Sequence, residues 1–569
     1  MITRDIKLLC DAQVRRFICE GFLVLPLEEL GEDFHADFYR KSLQRQPRGF
    51  LTDKTDAAMP QIHSVLGTPT VRGALESLLG PGYIRHPHSG VSVEAADAEM
   101  HVDQGWHRDS YWGVQRVHHH RPRWLLCMYY PATVNLDMGP TAIAPGSQYY
   151  ALPGDGDGRA HPPAEPIRHD QIDDPQRLMQ SQDLTARDEL LRQTIESLHP
   201  ALRTEPMAVN GGCFCLFHYD LYHRKMRRRI PAGPGAPPRV MFKLLFTGGR
   251  ARTAPSWDHV EQDDVPPTDE TGTISAALAG SIWSFMLGDK GASGRAVARD
   301  VNTEGLTDVL HRGPSEDERM RATYELAGAG RGGDDVAIRR LVDALRTGGD
   351  ATQRAAMHGL AASGPSAVEP LLAVLADTGV DDHVACCAVH AVGEAVEKPT
   401  EQMVDVIVRL SDRIGRFIER QTRAAGGWPA GGGGHFGPSG FGDRSPNPKE
   451  RQAWTAKLLH ATCLQTLGVM GQKATAAADE TVVRAVVEQC AACLGRPEPG
   501  GGNPDYADDS ALSSGFMSRQ NAALGLRMLC NDALTPDLRR AVTDVCSKCV
   551  DDPDPFLAHY CRDTLERMG

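Results

Sequence analysis

The strongest constraint on the fold is a change of pattern near residue 310. Ahead of it lie short runs rich in aromatic and branched residues, bounded by Gly, Pro and Asn. They include Trp124 to Tyr130, Cys213 to Phe217 and Val240 to Phe246. Such runs predict β-strands. After it the chain becomes rich in Ala and Leu with helical spacing. A small-x-x-x-apolar segment starts at Ala322, recurs at Ala356 and returns at Ala388. The first two are followed by a Gly-containing break and a second amphipathic run, Val336 to Leu345 and Ala367 to Leu375. A two-helix unit repeated in this way cannot bury its apolar face alone and must stack on its neighbours.

A chain of 569 residues exceeds one ordinary domain. We therefore expect a multidomain α+β protein, with a strand-rich domain over 1–310 and an all-α domain over 311–569. Within the first, residues 150–205 open as a Pro/Gly/Asp loop and turn helical near Ala186, as an insertion on a β scaffold would. Antiparallel strands with long connections favour a double-sheet barrel or jelly roll. Within the second, the repeat resembles HEAT-type units of an α-solenoid, and the Gly/Pro-rich stretch 425–450 is expected to be a loop between helical blocks.

Charge and composition narrow the function classes. The net charge of −13 argues against a nucleic-acid partner. The sequence shows no span of the roughly 18–20 apolar residues that a bilayer requires, so no membrane partner is expected. Fourteen cysteines without a secretory leader are expected to be reduced thiols of a cytoplasmic protein. The pairs Cys490/Cys493 and Cys546/Cys549 could supply four zinc thiolates, but their helical context favours buried free thiols.

The phrase Gly105-Trp106-His107-Arg108-Asp109-Ser110-Tyr111-Trp112 carries the chemistry. On a strand, positions i and i+2 share a face, so His107 and Asp109 can converge on one metal ion. A second histidine from a later strand completes a triad of two His and one carboxylate. Three metal positions then stay open, the layout of non-haem Fe(II) oxygenases. His223, beyond the strand-like run from Cys213, can supply it.

Four segments in order resemble the phytanoyl-CoA dioxygenase family. These are Phe17 to Pro26, His107-Arg108-Asp109 in its aromatic setting, Gly139-Pro140-Thr141 through Pro145-Gly146-Ser147, and Gly211 to His218 followed by His223. The resemblance implies a double-stranded β-helix (a cupin-like jelly roll) with Fe(II), 2-oxoglutarate and O2 over residues 1–310. It implies His107, Asp109 and His223 as metal ligands and Arg239 as the anchor of the 2-oxoglutarate carboxylate, with Arg229 as its rival. Thr141 is implied as a second cosubstrate contact, and Tyr111 and Trp112 as substrate-pocket residues or core. A competing pair, His101 and Asp103, lacks the aromatic neighbours of the family motif. Lys225 and Gln148 stand where the family usually has a small hydroxyl residue and a histidine. Keeping a carboxylate at Asp109, where halogenating relatives have a small residue, favours oxygen insertion.

The expected reaction is oxidation, foremost hydroxylation, of a C–H bond of a small organic molecule, with 2-oxoglutarate converted to succinate and CO2. The basic run Arg224 to Arg229 is either a solvated stretch or a steering field for an anionic substrate. The triplet His118-His119-His120 reads as a loop or strand end without function. Two other readings remain open here. In one, the helical repeats bind a protein partner or a second copy, and the oxygenase modifies a recruited polypeptide. In the other, the chain is a non-catalytic repeat scaffold.

Overall fold

The computed structural model describes residues 6–45, 51–94, 105–109, 119–151, 184–229, 237–260, 266–288, 301–313, 315–424, 448–495, 517–530 and 534–569. Tyr111, Trp112, His101, Asp103, His118 and the Gly/Pro-rich stretch fall outside the described residues, apart from the entry into the helix Pro448–Ala476.

The strands form two antiparallel sheets. We number them β1 (Phe22–Pro26), β2 (Ile84–Glu94), β3 (Trp124–Tyr130), β4 (Thr141–Ile143), β5 (Glu205–Pro206), β6 (Cys213–His218), β7 (His223–Lys225) and β8 (Arg239–Thr247). The larger sheet runs β1-β6-β3-β8-β2 and the smaller β5-β4-β7. β3 is buried along its whole length, which explains its unbroken apolar sequence. One face of it (Leu125, Cys127, Tyr129) meets the N-terminal helices through Val14, Phe17, Phe38 and Leu75. The other (Trp124, Leu126, Met128, Tyr130) joins Ile143, Cys215 and Phe217 in the core shared with the rest of the chain.

In the C-terminal half, helices alternate between two layers. Glu316–Arg331, Asp350–Ser363, Asp382–Ala395, Pro448–Ala476, Met517–Leu529 and Pro555–Met568 each pack on the next in one layer. Asp335–Thr347, Val368–Ala376, Glu401–Ala424, Glu480–Leu494 and Pro536–Ser547 form the second. The segments starting at Ala322, Ala356 and Ala388 lie on the first three helices of the first layer. Their small residues let neighbouring helices approach closely: a Cβ on Gly359 would stand 2.8 Å from the side chain of Leu341. Helix starts are capped locally, as where Asp334 accepts from the backbone of Val336 and Ala337.

The stretch Asp350–Ala376 is long and apolar enough by composition to cross a membrane, against the sequence expectation, with a mean hydropathy of 1.3. It is broken at Gly364-Pro365 into helices of the two layers, and 67% of it is buried inside the array. Its apolarity is that of a core.

The array packs directly on the strand-bearing half. Glu394, on Asp382–Ala395, forms ion pairs with Arg121 (3.2 Å) and Arg123 just ahead of β3. His120 meets the Tyr324 hydroxyl at 2.6 Å and stacks on His358 with ring centroids 3.6 Å apart. At the far end, His86 of β2 lies edge-on to Phe556 and Tyr560. His119 and His120, expected to lie in a loop without a role, are therefore buried at the junction of the halves.

Candidate metal centre

Two separate elements deliver the three candidate ligands. β7 begins at His223, and residue 107 pairs with it in a single antiparallel bridge that extends the smaller sheet by one position. His107 N–H donates to His223 O at 3.1 Å, and His223 N–H donates to His107 O at 3.0 Å. Directly opposed residues carry their side chains on the same face, so the two imidazoles meet, with centroids 4.5 Å apart. The sequence expectation of an extended strand through 107–109 needs correction. Asp109 lies outside any strand, and the β pairing of this segment among the described residues is the single bridge at His107. The run from Cys213 forms a strand as expected, one residue longer than its apolar stretch. β6 stops at His218, and a turn at Tyr219–Tyr222 passes the chain to the other sheet.

One ligand atom from each of His107, Asp109 and His223 lies within 4.8 Å of the others. His223 Nε2 is 3.6 Å from Asp109 Oδ2. The other ring nitrogens face backbone carbonyls, His107 Nδ1 at Gly105 O and His223 Nδ1 at Leu221 O, each at 3.0 Å. That contact fixes the tautomer that leaves Nε2 unprotonated. Asp109 and His223 are buried, while His107 is partly open to the cleft. Burial and the neighbouring His223 ring hold the His107 imidazole down to about 4, so it is neutral at neutral pH. Burial alone would raise the Asp109 carboxyl, but the Lys243 ammonium and the two histidines hold it well below the usual carboxylate range. Asp109 Oδ2 is buried without an aligned hydrogen bond. The neutral His107 imidazole, the His223 imidazole beside it and one ionised carboxylate are a donor set that fits a divalent transition metal.

Arg239 opens β8, buried, and its guanidinium donates to Gly139 O at 2.5 Å. Thr141 on β4 is also buried, with its hydroxyl 3.1 Å from that of Tyr130, whose environment includes the Arg239 charge. Arg239, Thr141 and Tyr130 thus gather in one place. Arg229 instead donates its backbone N–H to Asp137 O.

Sequence reasoning missed two residues here. Glu94, at the end of β2 opposite Arg239, receives the Lys225 ammonium at 2.6 Å and lies 3.7 Å from Arg239. Lys243 on β8 lies with its ammonium 2.5 Å from Asp109 Oδ2. The signal for Lys243 was a lone charge in the otherwise apolar run Val240 to Phe246.

Among the described residues, one other group of potential ligands converges: His119, His390 and Glu394. Its carboxylate is already held between Arg121 and Arg123, so the cluster is a buried ion-pair node where a dication would face two guanidinium groups. The two CxxC pairs do not gather into a metal-holding group among the described residues, and all four thiols are buried outside any disulfide.

No family model and no curated protein matches the chain. Solved structures that are similar to it include SnoK, a non-heme alpha ketoglutarate dependent carbocyclase from nogalamycin biosynthesis. It is 13% identical over 42% of this chain and 85% of that one, with a TM-score of 0.29. EctD from S. alaskensis, with 2-oxoglutarate and 5-hydroxyectoine, is 17% identical over 46% and 83%, with a TM-score of 0.29. HygX from Streptomyces hygroscopicus, with iron bound, is 15% identical over 42% and 87%, with a TM-score of 0.27. Superposition at this level carries no argument about the site.

Proposed function

We propose that the chain is a non-haem Fe(II)- and 2-oxoglutarate-dependent dioxygenase. It oxidises, foremost hydroxylates, a C–H bond of a small organic molecule, on a jelly-roll domain over 1–310 backed by a HEAT-like array over 311–569. The convergence of His107, Asp109 and His223 carries this reading.

An Fe(II) ion bound there supplies the activation of O2, coupled to decarboxylation of 2-oxoglutarate to succinate and CO2. The chain's own residues do the rest. Carbonyl contacts at Gly105 and Leu221 keep the histidine lone pairs turned to the ion. Asp109 would supply one negative charge to the ion. Arg239 presents a planar fork suited to a bidentate carboxylate, and the Tyr130 and Thr141 hydroxyls add donors beside it. Glu94 offsets Lys225 and Arg239, limiting the site's excess positive charge until the dianionic cosubstrate enters.

The array acts as a structural wall in this reading. Its first-layer helices already bury side chains on residues 119–123, which favours support over recruitment of a polypeptide.

The test is succinate formation from 2-oxoglutarate under air after anaerobic loading with Fe(II). Slow uncoupled turnover in the wild type that vanishes in His107→Ala and Asp109→Ala is the expected result. Absence of both turnover and stoichiometric iron in the wild type would overturn the proposal.

A further inference from the structure

The Lys243 ammonium sits on the oxygen of Asp109 that a metal ion would use. Oδ2 is the atom 3.6 Å from His223 Nε2, so it points into the space between the three ligands, and Lys243 Nζ lies 2.5 Å from it. The Lys243 side chain is held from a sheet strand. Lys243 comes from β8, flanked by β3 and β2 and paired with Met128 and Gly90. Asp109 is buried, whereas the Lys243 side chain is 21% exposed.

A buried carboxylate needs a cation beside it when no ion is bound, because burying an unpaired charge is costly. An ammonium on a flexible four-carbon stem meets that need and can withdraw. It cannot stay when a dication arrives, because two cations sharing one oxygen in a shielded site repel strongly.

We propose that Lys243 is a tethered cation that stands on the metal's side of Asp109 in the metal-free protein and exchanges with the incoming ion. The inference rests on the metal-site reading above and deepens it. Lys243 is a positioning residue: it holds the Asp109 carboxylate in place before loading, and it lowers the intrinsic affinity of the three ligands for metal. On loading, the ammonium would leave Oδ2 for solvent.

Mn(II), redox-inert under these conditions, is the probe. Full-length wild type, Lys243→Met, Lys243→Arg and Asp109→Asn are stripped with chelator and titrated calorimetrically, with thermal melting recorded for the metal-free and loaded forms. The expected result is Mn(II) binding about tenfold or more tighter in Lys243→Met than in wild type. Metal-free Lys243→Met should melt earlier than wild type, and loading should close most of that gap. Lys243→Arg, which keeps the charge, should stay near the wild-type affinity. A purely packing role would lower both melting points together without tightening Mn(II), and that outcome overturns the inference. So does equal or weaker Mn(II) binding in Lys243→Met, with the metal site itself left standing. If neither wild type nor Lys243→Met binds Mn(II), the metal-site reading falls and this inference with it. Asp109→Asn should lose Mn(II) binding in every case where the wild type binds.

Discussion

His107 and His223 exchange both of their backbone hydrogen bonds, although they lie on distant parts of the chain. This pair fixes where the two imidazoles stand without using either side chain. The metal ligands can therefore be removed without removing the bridge that places them. His223→Ala should keep its far-ultraviolet circular dichroism and a single cooperative melt, losing about 1–2 kcal/mol for the buried ring. It should also bind no stoichiometric Fe(II) or Mn(II). Metal analysis beside a thermal melt checks this, and a variant that unfolds outright would show that the backbone bridge does not suffice.

Arg239 should act on the cosubstrate and leave the metal alone. Its guanidinium lies with Thr141 and Tyr130, and none of the three is a metal-ligand candidate. Truncating one partner of a buried charge pair costs about 2–5 kcal/mol. Arg239→Ala should therefore raise the 2-oxoglutarate KM by more than about tenfold, with Mn(II) affinity close to wild type. Arg239→Lys should recover only part of the loss, because a point charge does not reproduce the bidentate fork. Uncoupled succinate formation against 2-oxoglutarate concentration reads the difference, and an unchanged KM would move the anchor elsewhere.

How far the sequence disclosed this arrangement follows from what each signal depends on. The H-x-D phrase and a later histidine on a strand-like run are local patterns, and they picked out residues that the fold brings together. The three small-x-x-x-apolar segments were legible for the same reason, since each describes the face of one helix. Relations between distant residues were not legible. Nothing near residue 107 announces a bridge to 223, and Asp109 was read as part of a strand although the pairing stops at the single bridge. Lys243 was visible as a charge inside an apolar strand, but its meaning needed Asp109 beside it. His119 and His120 carried no pattern at all, because their burial depends on helices more than 200 residues downstream.

Glu394 should be indispensable to the union of the two halves. It is buried and bears on Arg121 and Arg123, and Arg121 also donates to its backbone carbonyl at 2.8 Å. Removing one member of a buried ion cluster leaves the others uncompensated, at about 3–5 kcal/mol. Glu394→Ala should destabilise the whole protein by that order in a denaturant melt. A fragment ending near residue 310 should expose His119, His120 and Arg121 together and fail to give a sharp transition. A fragment that melts cooperatively with wild-type stability would show the strand-bearing half to be independent of the array.

The same junction should make the protein sensitive to acid. His119, His120, His358 and His390 are all buried. Burial pushes each well below the ordinary histidine value, His390 to about 4, with neighbouring cationic or imidazole groups adding to the shift and Glu394 opposing it at His119 and His390. In the unfolded chain each would titrate near 6.5, so below that pH the unfolded state binds more protons than the folded one and stability falls. The contribution is fully present above about pH 6.5 and declines as the pH drops through 6 and 5 toward 4. His390 alone accounts for about 3 kcal/mol of it, taking the shift from 6.5 to about 4. Melting temperature should therefore drop steeply between pH 6.5 and 4.5, and His390→Gln should flatten that part of the curve. Carboxylate protonation acts mainly nearer pH 4, so the window above pH 5 separates the two causes. A stability profile level from pH 7 to 5 would mean that these imidazoles do not remain neutral at the junction.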